Sequence, residues 1–238
     1  MKTGIIIAGG DLPPVFAEKV IREYAAAGEI VTAAADAGLE VLDRIGMAPD
    51  ILLGDFDTVK ERVLGKYLTR PDIQVERHDP VKDASDMELT VKTLYRQGIR
   101  KAVVLGALGG RADHTLANIR LTYYAVLRGM ELLILDPQNR IRCLKAYPDR
   151  ETVFTLRKDA QYGKYVSVFP AGGSIAPLTM EGFRYPLAGY TLDWLGEPSR
   201  TVSNEITAEE AVIRFRGTED AGLIVMETGD AVKEAPEK

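Results

Sequence analysis

Two carboxylates follow an apolar run in the segment Leu53-Gly54-Asp55-Phe56-Asp57-Thr58, with one aromatic residue between them. Because side chains two residues apart on an extended backbone share a face, this spacing predicts that Asp55 and Asp57 point into one small volume while Phe56 faces away. Two unit charges about 4 Å apart repel by roughly 4 kcal/mol at an effective dielectric constant of about 20. A divalent cation with oxygen ligands removes that cost, so the segment predicts a metal site; the alternative is an ordinary polar loop.

Further acidic residues follow other apolar runs in the N-terminal half, at Asp11, at Asp36 and in the segment Asp79-Pro80-Val81-Lys82-Asp83-Ala84-Ser85-Asp86. Each of them alone can be a turn or helix-capping residue, and Ser85 with Glu88 forms a capping box that needs no function. In an open parallel sheet, however, ligands bind outside the carboxyl ends of the strands. Several carboxylates at that edge predict a site for a metal ion and phosphate groups.

A glycine pair, Gly109-Gly110, follows another apolar run and precedes a predicted helix that begins near Asp113. Backbone N–H groups at such a helix start can hold a phosphate, and Arg111 can make two hydrogen bonds to its oxygens. The chain has no Gly-x-x-x-x-Gly-Lys-Ser/Thr pattern and no Gly-x-Gly-x-x-Gly sequence at its first strand–helix turn. These absences argue against a P-loop protein and against nicotinamide binding.

The chain contains two histidines, His78 and His114, and one cysteine, Cys143. Two histidines exclude a multi-histidine centre and leave oxygen ligands, which favours magnesium over zinc. His114 is either an acid–base group or phosphate contact, or a histidine hydrogen-bonded in the first helical turn, whereas we expect His78 to be structural. A single cysteine excludes an intramolecular disulfide, and its place in an alternating run favours a structural thiol.

Short apolar runs alternate with amphipathic segments from residue 4 to about residue 136, which is typical of βαβ units on a parallel sheet. Apolar residues at helical spacing predict helices over Pro13 to Ala27, Ser85 to Gln97 and Asp113 to Leu127. The predicted strands are 4–8, 30–35, 51–54, 73–76, 101–106 and 131–135.

The pattern changes after Pro137, where short β-rich runs such as Tyr165-Val166-Ser167-Val168-Phe169 stand between turn residues. Such runs predict antiparallel sheets packed as a sandwich, with the boundary near residues 137–150. The sequence therefore predicts an α/β domain with a Rossmann-like parallel sheet over residues 1–140. A β-sandwich domain is expected over residues 141–238.

The 238 residues carry a formal net charge of -5, with charges of both signs interspersed. Because there is no basic face of the kind that holds a phosphate backbone, we expect no nucleic-acid partner. The N-terminal apolar run is too short for a secretory signal, and no apolar run is long enough to span a membrane. We therefore expect a cytoplasmic protein with no membrane partner.

The chain resembles the thiamine pyrophosphokinase family in four blocks and in the segment 182–187 ahead of the last block, and the resemblance covers nearly the whole chain. The first two blocks are Gly54-Asp55-Phe56-Asp57-Thr58 and Lys82-Asp83-Ala84-Ser85-Asp86-Met87-Glu88-Leu89. The other two are Gly109-Gly110-Arg111-Ala112-Asp113-His114-Thr115-Leu116-Ala117-Asn118-Ile119 and Ser203-Asn204-Glu205. Two positions depart from the family pattern: Thr58 replaces a serine, and Ala37 places a methyl group where the family has a glycine.

The resemblance implies an N-terminal α/β domain that binds ATP and a C-terminal sandwich that helps to bind thiamine. It also implies a homodimer whose active sites lie between subunits. The expected reaction transfers the pyrophosphoryl group of ATP to the hydroxyl of thiamine, giving thiamine diphosphate and AMP. A magnesium ion is expected to bridge ATP oxygens.

The resemblance also implies a role for individual residues. The expected magnesium ligands are Asp55, Asp57 and Asp86, and the expected catalytic set adds Arg111 and Asp113 to these three. Either Asp83 or Asp113 is expected to accept or orient the hydroxyl proton. The residues expected to bind ATP are Asp36, Lys82, Asp83, Ser85, Gly109, Gly110, His114 and Asn118. The residues expected to bind thiamine are Tyr185, Ser203 and Asn204, of which Ser203 and Asn204 are expected to border the pocket of the partner subunit.

Two other functions remain open from the sequence. One is a pyrophosphokinase that acts on another alcohol, such as a pterin, with the difference expected at Tyr185, Trp194, Ser203 and Asn204. The other is a non-catalytic nucleotide-binding sensor, although a sensor has little use for three carboxylates around one metal ion.

Overall fold

The computed structural model describes residues 2–79 and 84–230 of the chain. The chain divides into two compact units, Met1–Pro137 and Gln138–Lys238. The first strand after this division, which we label β7, runs from Asn139 to Lys145, and the domain boundary at residue 140 stays a prediction.

The described part of the N-terminal unit contains six strands, and every pairing between them is parallel. They are β1 (Thr3–Ile7), β2 (Ile30–Ala35), β3 (Ile51–Gly54), β4 (Gln74–Arg77), β5 (Lys101–Leu105) and β6 (Glu131–Leu135). Their order in the sheet is β4-β3-β2-β1-β5-β6. The strand order reverses between β1 and β5, which is where open α/β sheets bind ligands. All six predicted strands are confirmed, with bounds that differ by at most one residue.

The helices of this unit are α1 (Pro14–Ala27), α2 (Gly38–Arg44), α3 (Glu61–Leu64), α4 (Asp86–Arg96) and α5 (Ala112–Leu127). The three predicted helices correspond to α1, α4 and α5. The sequence did not predict α2 and α3, because segments of 7 and 4 residues are too short to show helical periodicity. The central strands are continuous apolar runs because they are buried, with Ile5, Ile6 and Ile7 fully inaccessible to solvent.

Among the described residues of the C-terminal unit, the strands form two antiparallel sets of four. One has the order β12 (Asn204–Glu205), β9 (Tyr165–Ala171), β14 (Gly222–Thr228) and β7. The other has the order β11 (Leu187–Leu192), β10 (Ile175–Glu181), β13 (Glu210–Gly217) and β8 (Thr152–Arg157). Val168 and Val225 of the first sheet share one buried core with Ile213 and Phe215 of the second. This packing confirms the predicted sandwich.

Cys143 lies on β7, is buried and forms no disulfide. Burial raises the pKa of its thiol to about 12, so the thiol stays protonated and unreactive at neutral pH. The prediction of a structural cysteine is therefore confirmed. Across residues 2–79 and 84–230, none of the helices has both the length and the apolar character needed to cross a membrane.

Candidate active site

Asp36 directly follows β2 and has a left-handed backbone conformation, with a φ angle of 44°. Its N–H donates to the Leu53 carbonyl at 3.0 Å, which ties it to the end of β3. Its Oδ1 accepts a hydrogen bond from the Phe56 N–H at 3.2 Å. These two bonds fix the Asp36 carboxyl at the carboxyl edge of the sheet, between the loops that follow β2 and β3.

The Asp36 carboxyl is hydrogen-bonded to the carboxyl of Asp86, the first residue of α4. Burial, the hydrogen bond to Asp86 and the charges of Asp86 and Asp55 together raise the pKa of Asp36 to about 7, although the hydrogen bond from the Phe56 N–H opposes this shift. Two carboxyl groups this close share a proton, unless a cation between them lets both stay charged. The structure therefore brings Asp36, Asp86 and Asp55 together.

Gly54 makes room for this carboxyl pair. A Cβ atom at position 54 would lie 1.9 Å from Oδ1 of Asp36, which is far inside van der Waals contact. Because Asp36 is already held by its backbone and by Phe56, it cannot move aside without losing these bonds. Any side chain at position 54 would displace the Asp36 carboxyl.

The backbone after β3 differs from the sequence prediction. Phe56 has a φ angle of 66°, so the segment from Asp55 to Asp57 turns and is not extended. Asp57 is exposed, and its N–H donates to Oδ1 of Asp55 at 3.1 Å, while the shared site of the two carboxylates stays a prediction. The predicted burial of Phe56 on the opposite side is confirmed, since its side chain is 5% exposed. Alternation along a strand could not predict this geometry, because the strand ends at Gly54.

The carboxyl pair has the chemistry of a magnesium site. Mg²⁺ in phosphate-transferring enzymes is commonly held by one or two carboxylates, with substrate phosphates and water completing its coordination. Within the part of the chain that the structure describes, no three His, Cys, Asp or Glu side chains are arranged to hold a metal ion together. Two of the clustered carboxylates are therefore enough to fit such an ion, while the set Asp55, Asp57 and Asp86 stays a prediction.

Ser85 caps α4 and sets the direction of Asp86. The Ser85 Oγ accepts a hydrogen bond from the Glu88 N–H at 3.2 Å. This bond is one half of the predicted capping box. The Glu88 side chain, which would supply the other half, pairs with Lys92 at 2.5 Å. The cap satisfies an N–H of the first turn and places Asp86 at the helix start, facing Asp36.

The glycine pair shapes the loop between β5 and α5. Gly109 and Gly110 have φ angles of 82° and 63°, a left-handed turn that residues with side chains rarely adopt. A Cβ on Gly109 would lie 3.2 Å from the Asp11 carboxylate. Arg111 follows as the N-cap residue of α5 and makes no side-chain capping bond. In the first turn of this 16-residue helix, the His114 N–H donates to the Asp113 carboxylate at 2.9 Å, and binding of an anion at this helix start stays a prediction.

Arg111 and Asp113 form a two-bond ion pair. The Arg111 Nε donates to Asp113 Oδ1 at 3.1 Å, and its Nη2 donates to Oδ2 at 2.6 Å. Hydrogen bonding from Arg111 holds the pKa of the Asp113 carboxyl below its ordinary value, and the N–H of His114 contributes at 2.9 Å. A carboxylate with a lowered pKa accepts a proton poorly, so this geometry favours a positioning role for Asp113 over that of a base.

A cleft of about 680 Å³ opens at the carboxyl ends of β1, β2, β3 and β5. It contains most of the residues that the sequence predicts for the ATP and metal site. Those lining it are Asp36, Asp55, Ser85, Asp86, Gly109, Gly110, Arg111, His114 and Asn118. The Asn118 amide also donates to the Ala107 carbonyl at 2.8 Å and so ties α5 to the loop after β5. Asp57 and Asp113 are not among the described lining residues, and Lys82 and Asp83 lie outside the described residues.

The predicted thiamine-binding residues lie in the C-terminal unit. Asn204 is buried, and its amide accepts from the Tyr185 N–H at 2.9 Å and donates to the Tyr185 carbonyl at 2.8 Å. Ser203 is exposed, has a φ angle of 57°, and donates its N–H to the Ser167 hydroxyl. Asn204 therefore acts as a clamp that holds Tyr185, and the Tyr185 ring is 60% exposed.

Tyr185 lines a second open groove, whose volume is also about 680 Å³. The groove combines apolar side chains, including Leu187 and Val202, with the charged Arg184, Glu197 and Arg200. Ser203 and Asn204 are not among its described lining residues, although they adjoin Val202. In the same unit, Trp194 and Leu195 are 82% and 96% exposed, an unusual position for large apolar side chains.

Comparison with known proteins gives a consistent result along the chain. The family model described as thiamin pyrophosphokinase, catalytic domain, matches residues 23–134. The model described as thiamin pyrophosphokinase, vitamin B1 binding domain, matches residues 151–220. Thiamine pyrophosphokinase of Bacillus subtilis is 29% identical over 192 residues, which are 80% of this chain and 83% of that protein. Thiamine pyrophosphokinase 1 of Oryza sativa is 27% identical over 188 residues, which are 76% of this chain and 66% of that protein.

Solved structures agree with these matches. The crystal structure of the Bacillus subtilis thiamine pyrophosphokinase superposes with a TM-score of 0.77 at 25% identity, covering 97% of this chain and 100% of that one. The enzyme of Geobacillus thermodenitrificans gives a TM-score of 0.75 at 26% identity, covering 97% and 99%. Both domains of one family are matched in order along the chain, and the chain therefore belongs to the thiamine pyrophosphokinase family.

Proposed function

We propose that the chain catalyses the ATP-dependent formation of thiamine diphosphate. In this reaction the pyrophosphoryl group of ATP passes to the hydroxyl of thiamine, and AMP is released. The family relationship supports this reaction. The observation that carries the proposal is the N-terminal cleft, in which the Asp36–Asp86 carboxyl pair and the Gly109-Gly110-Arg111 loop line one space.

We propose that Asp86 and Asp55 hold magnesium, with Asp36 hydrogen-bonded beside them and Asp57 as the further ligand that the sequence predicts. When bound, magnesium neutralises negative charge on the ATP phosphates and orients them. Asp36 has a supporting task in this arrangement, because it directs the Asp86 carboxyl and is itself held by Phe56. Ser85 keeps Asp86 at the start of α4.

The chain's own cations and N–H groups bind the phosphate chain. The Gly109-Gly110 turn lets phosphate oxygens approach the backbone, and the N-terminus of α5 favours their negative charge. Arg111 can make bidentate bonds to the transferred group, where charge is spread over several oxygens in the transition state. Asp113 orients the Arg111 guanidinium through their two hydrogen bonds.

Proton removal from the thiamine hydroxyl needs less assistance than charge neutralisation in such a reaction. Because the transition state of phosphoryl transfer is loose, bond formation to the attacking oxygen is little advanced. Positioning the hydroxyl in line with the leaving AMP therefore contributes most to the rate. The ion-paired Asp113 is assigned to positioning, and Asp83 lies outside the described residues.

We further propose that thiamine contacts the C-terminal unit around Tyr185, Ser203 and Asn204, and that two chains pair as a homodimer with shared sites. The Asn204 clamp on the Tyr185 backbone supports a defined position for this ring. The exposure of Trp194 and Leu195 supports an apolar surface that a ligand or a second chain covers. The proposal includes a cytoplasmic location, where ATP is available.

The decisive experiment incubates the purified chain with thiamine, ATP and Mg²⁺ and quantifies nucleotides and thiamine esters by chromatography. We expect AMP and thiamine diphosphate in equal amounts. Formation of ADP, or AMP release that does not depend on thiamine, would contradict the proposal. A parallel reaction with a hydroxymethyl pterin tests whether the chain acts on another alcohol. Faster turnover of the pterin than of thiamine would show that a pterin is the substrate.

A further inference from the structure

A second cavity of the N-terminal unit lies between the C-terminal halves of α4 and α5, and we call it the α4–α5 groove. Its volume is about 220 Å³. Its apolar floor is formed by Val91, Ala125 and Met130, each at most 2% exposed. Tyr95 of α4 and Tyr124 of α5 line it as well. The groove is smaller than the sites of drug-sized ligands, which span about 300–1,000 Å³, so it suits a small molecule.

Three cations surround this apolar floor: Lys92, Arg96 and Arg128. Lys92 pairs with Glu88. The Arg128 guanidinium stacks 3.6 Å above the Tyr124 ring, and its Nη1 donates to the Tyr124 carbonyl at 3.1 Å. An arginine has five N–H donors, so most of those of Arg128 are left for a ligand. Within the described residues, no carboxylate forms an ion pair with Arg96 or Arg128.

Basic residues near the ends of helices often serve only to complement the helix dipole and to face water. That explanation accounts for the position of Arg96 and Arg128 but not for the cavity between them. Solvated cations do not need an apolar floor or two aromatic walls. Arg100 lies 4.0 Å from the centre of the Tyr95 ring and Arg128 lies 3.6 Å from that of Tyr124, so one face of each ring is covered. An apolar floor, the remaining ring surface and guanidinium groups without a carboxylate partner together have the chemistry that recognises a flat ring carrying an anionic group.

We propose that the α4–α5 groove is a binding site for a small aromatic anion, in which one flat ring carries either a phosphate monoester or a free carboxylate. The ring lies on the floor between Tyr95 and Tyr124, and the anionic group contacts Arg96 and Arg128. The site is separate from the cleft that we assign to ATP. Arg111 and Arg128 stand at opposite ends of α5, whose 16 residues span about 24 Å at 1.5 Å per residue.

The test is a titration of the full-length, ¹⁵N-labelled protein with phenyl phosphate and with benzoate, followed by amide chemical shifts. We expect at least one of the two to shift the amides around Val91, Tyr95, Tyr124 and Arg128. Phenol, which has the ring without the anion, and inorganic phosphate, which has the anion without the ring, should bind at least about 10-fold more weakly. Equal binding of either control, or no shift at the groove with either probe, would overturn the proposal.

Variants separate this site from the ATP cleft. The double variant Arg96→Gln, Arg128→Gln should weaken binding at the groove at least about 10-fold. Its fold should be kept, because both side chains are exposed, and thermal unfolding checks this. Arg120→Gln, an exposed arginine of the same helix outside the groove, is the matched control and should leave binding unchanged. Arg111→Gln should also leave the groove signal unchanged. If the probe-induced shifts were lost in Arg111→Gln but kept in the Arg96→Gln, Arg128→Gln double variant, the probe would bind in the ATP cleft. That result would refute the proposed groove site.

Discussion

The carboxyl groups of Asp36 and Asp86 are hydrogen-bonded to each other at the carboxyl edge of the parallel sheet, although 50 positions separate them in the sequence. One arrives at the end of β2 and the other at the start of α4. The pair connects the loop after β2 to the start of α4, which Ser85 caps. Its position explains why residue 54 is a glycine, since a Cβ atom there would overlap Oδ1 of Asp36.

Asp36→Asn tests the carboxyl pair. The amide can still accept the Phe56 N–H, so we expect thermal unfolding to change little. The missing negative charge should lower kcat/KM at least about 100-fold, since electrostatic groups at such sites contribute effects of this size. Asp72→Asn, which removes an exposed carboxylate paired with Arg70, is the control and should keep full activity. Near-normal turnover by Asp36→Asn would exclude Asp36 from the site.

Gly54→Ala tests the space beside Asp36. The new Cβ would overlap Oδ1 of Asp36, so we expect a loss of stability of about 1–3 kcal/mol, typical of overpacking, together with at least a 10-fold loss of activity. Chemical denaturation and steady-state kinetics measure the two effects. Gly28→Ala is the matched control, because a Cβ there meets nothing within 4 Å. A Gly54→Ala enzyme as stable and active as the parent would contradict the crowding argument.

Asp113→Asn distinguishes positioning from proton transfer. If Asp113 orients Arg111, the variant should raise KM for ATP several-fold and change kcat by less than about 10-fold. Loss of a general base would instead lower kcat by about 100–10,000-fold. Asp159→Asn is a matched control, because Asp159 makes the same two-bond pair with Arg157 in the other unit. A large drop of kcat with unchanged KM would return the base role to Asp113.

Mixing two inactive variants tests the shared site of the proposed homodimer. Asp57→Asn should remove metal binding in the N-terminal unit of its chain. Ser203→Arg should block thiamine binding in the C-terminal unit of its chain. If each site draws on two chains, co-expressed heterodimers contain one intact site and regain AMP formation. Confirmed heterodimers that remain inactive would show that each chain carries its own complete site.

Glu227→Ala tests the buried ion pair of the C-terminal unit. Glu227 is fully buried, accepts from Arg140 Nε at 2.6 Å and also accepts the Tyr162 N–H. Removing one member of a buried pair leaves the other charge unpaired, so we expect a loss of about 3–5 kcal/mol in the free energy of unfolding. Glu18→Ala, which breaks an exposed pair with Arg22, should cost less than about 1 kcal/mol. Similar losses in the two variants would contradict this account.

The strands of the N-terminal unit could be predicted from the sequence almost to the residue, because a buried parallel strand is a short apolar run between turn residues. The predicted loops after these strands do meet at one cleft, since the carboxyl ends of parallel strands lie along one edge. Nine predicted residues line it, from Asp36 to Asn118. The short helices α2 and α3 escaped prediction, as did the turn at Phe56.

Local patterns in the chain were enough to establish the order of strands and helices, the two-unit plan and the family, because periodicity and motifs depend on neighbouring residues. Only the tertiary structure determined which carboxylates lie in contact with one another. The spacing of Asp55 and Asp57 did not reveal the left-handed residue between them, and Asp36 and Asp86, 50 positions apart, are brought together by strand and helix packing. Contacts across such distances follow from backbone dihedral angles and packed elements, which no local pattern encodes.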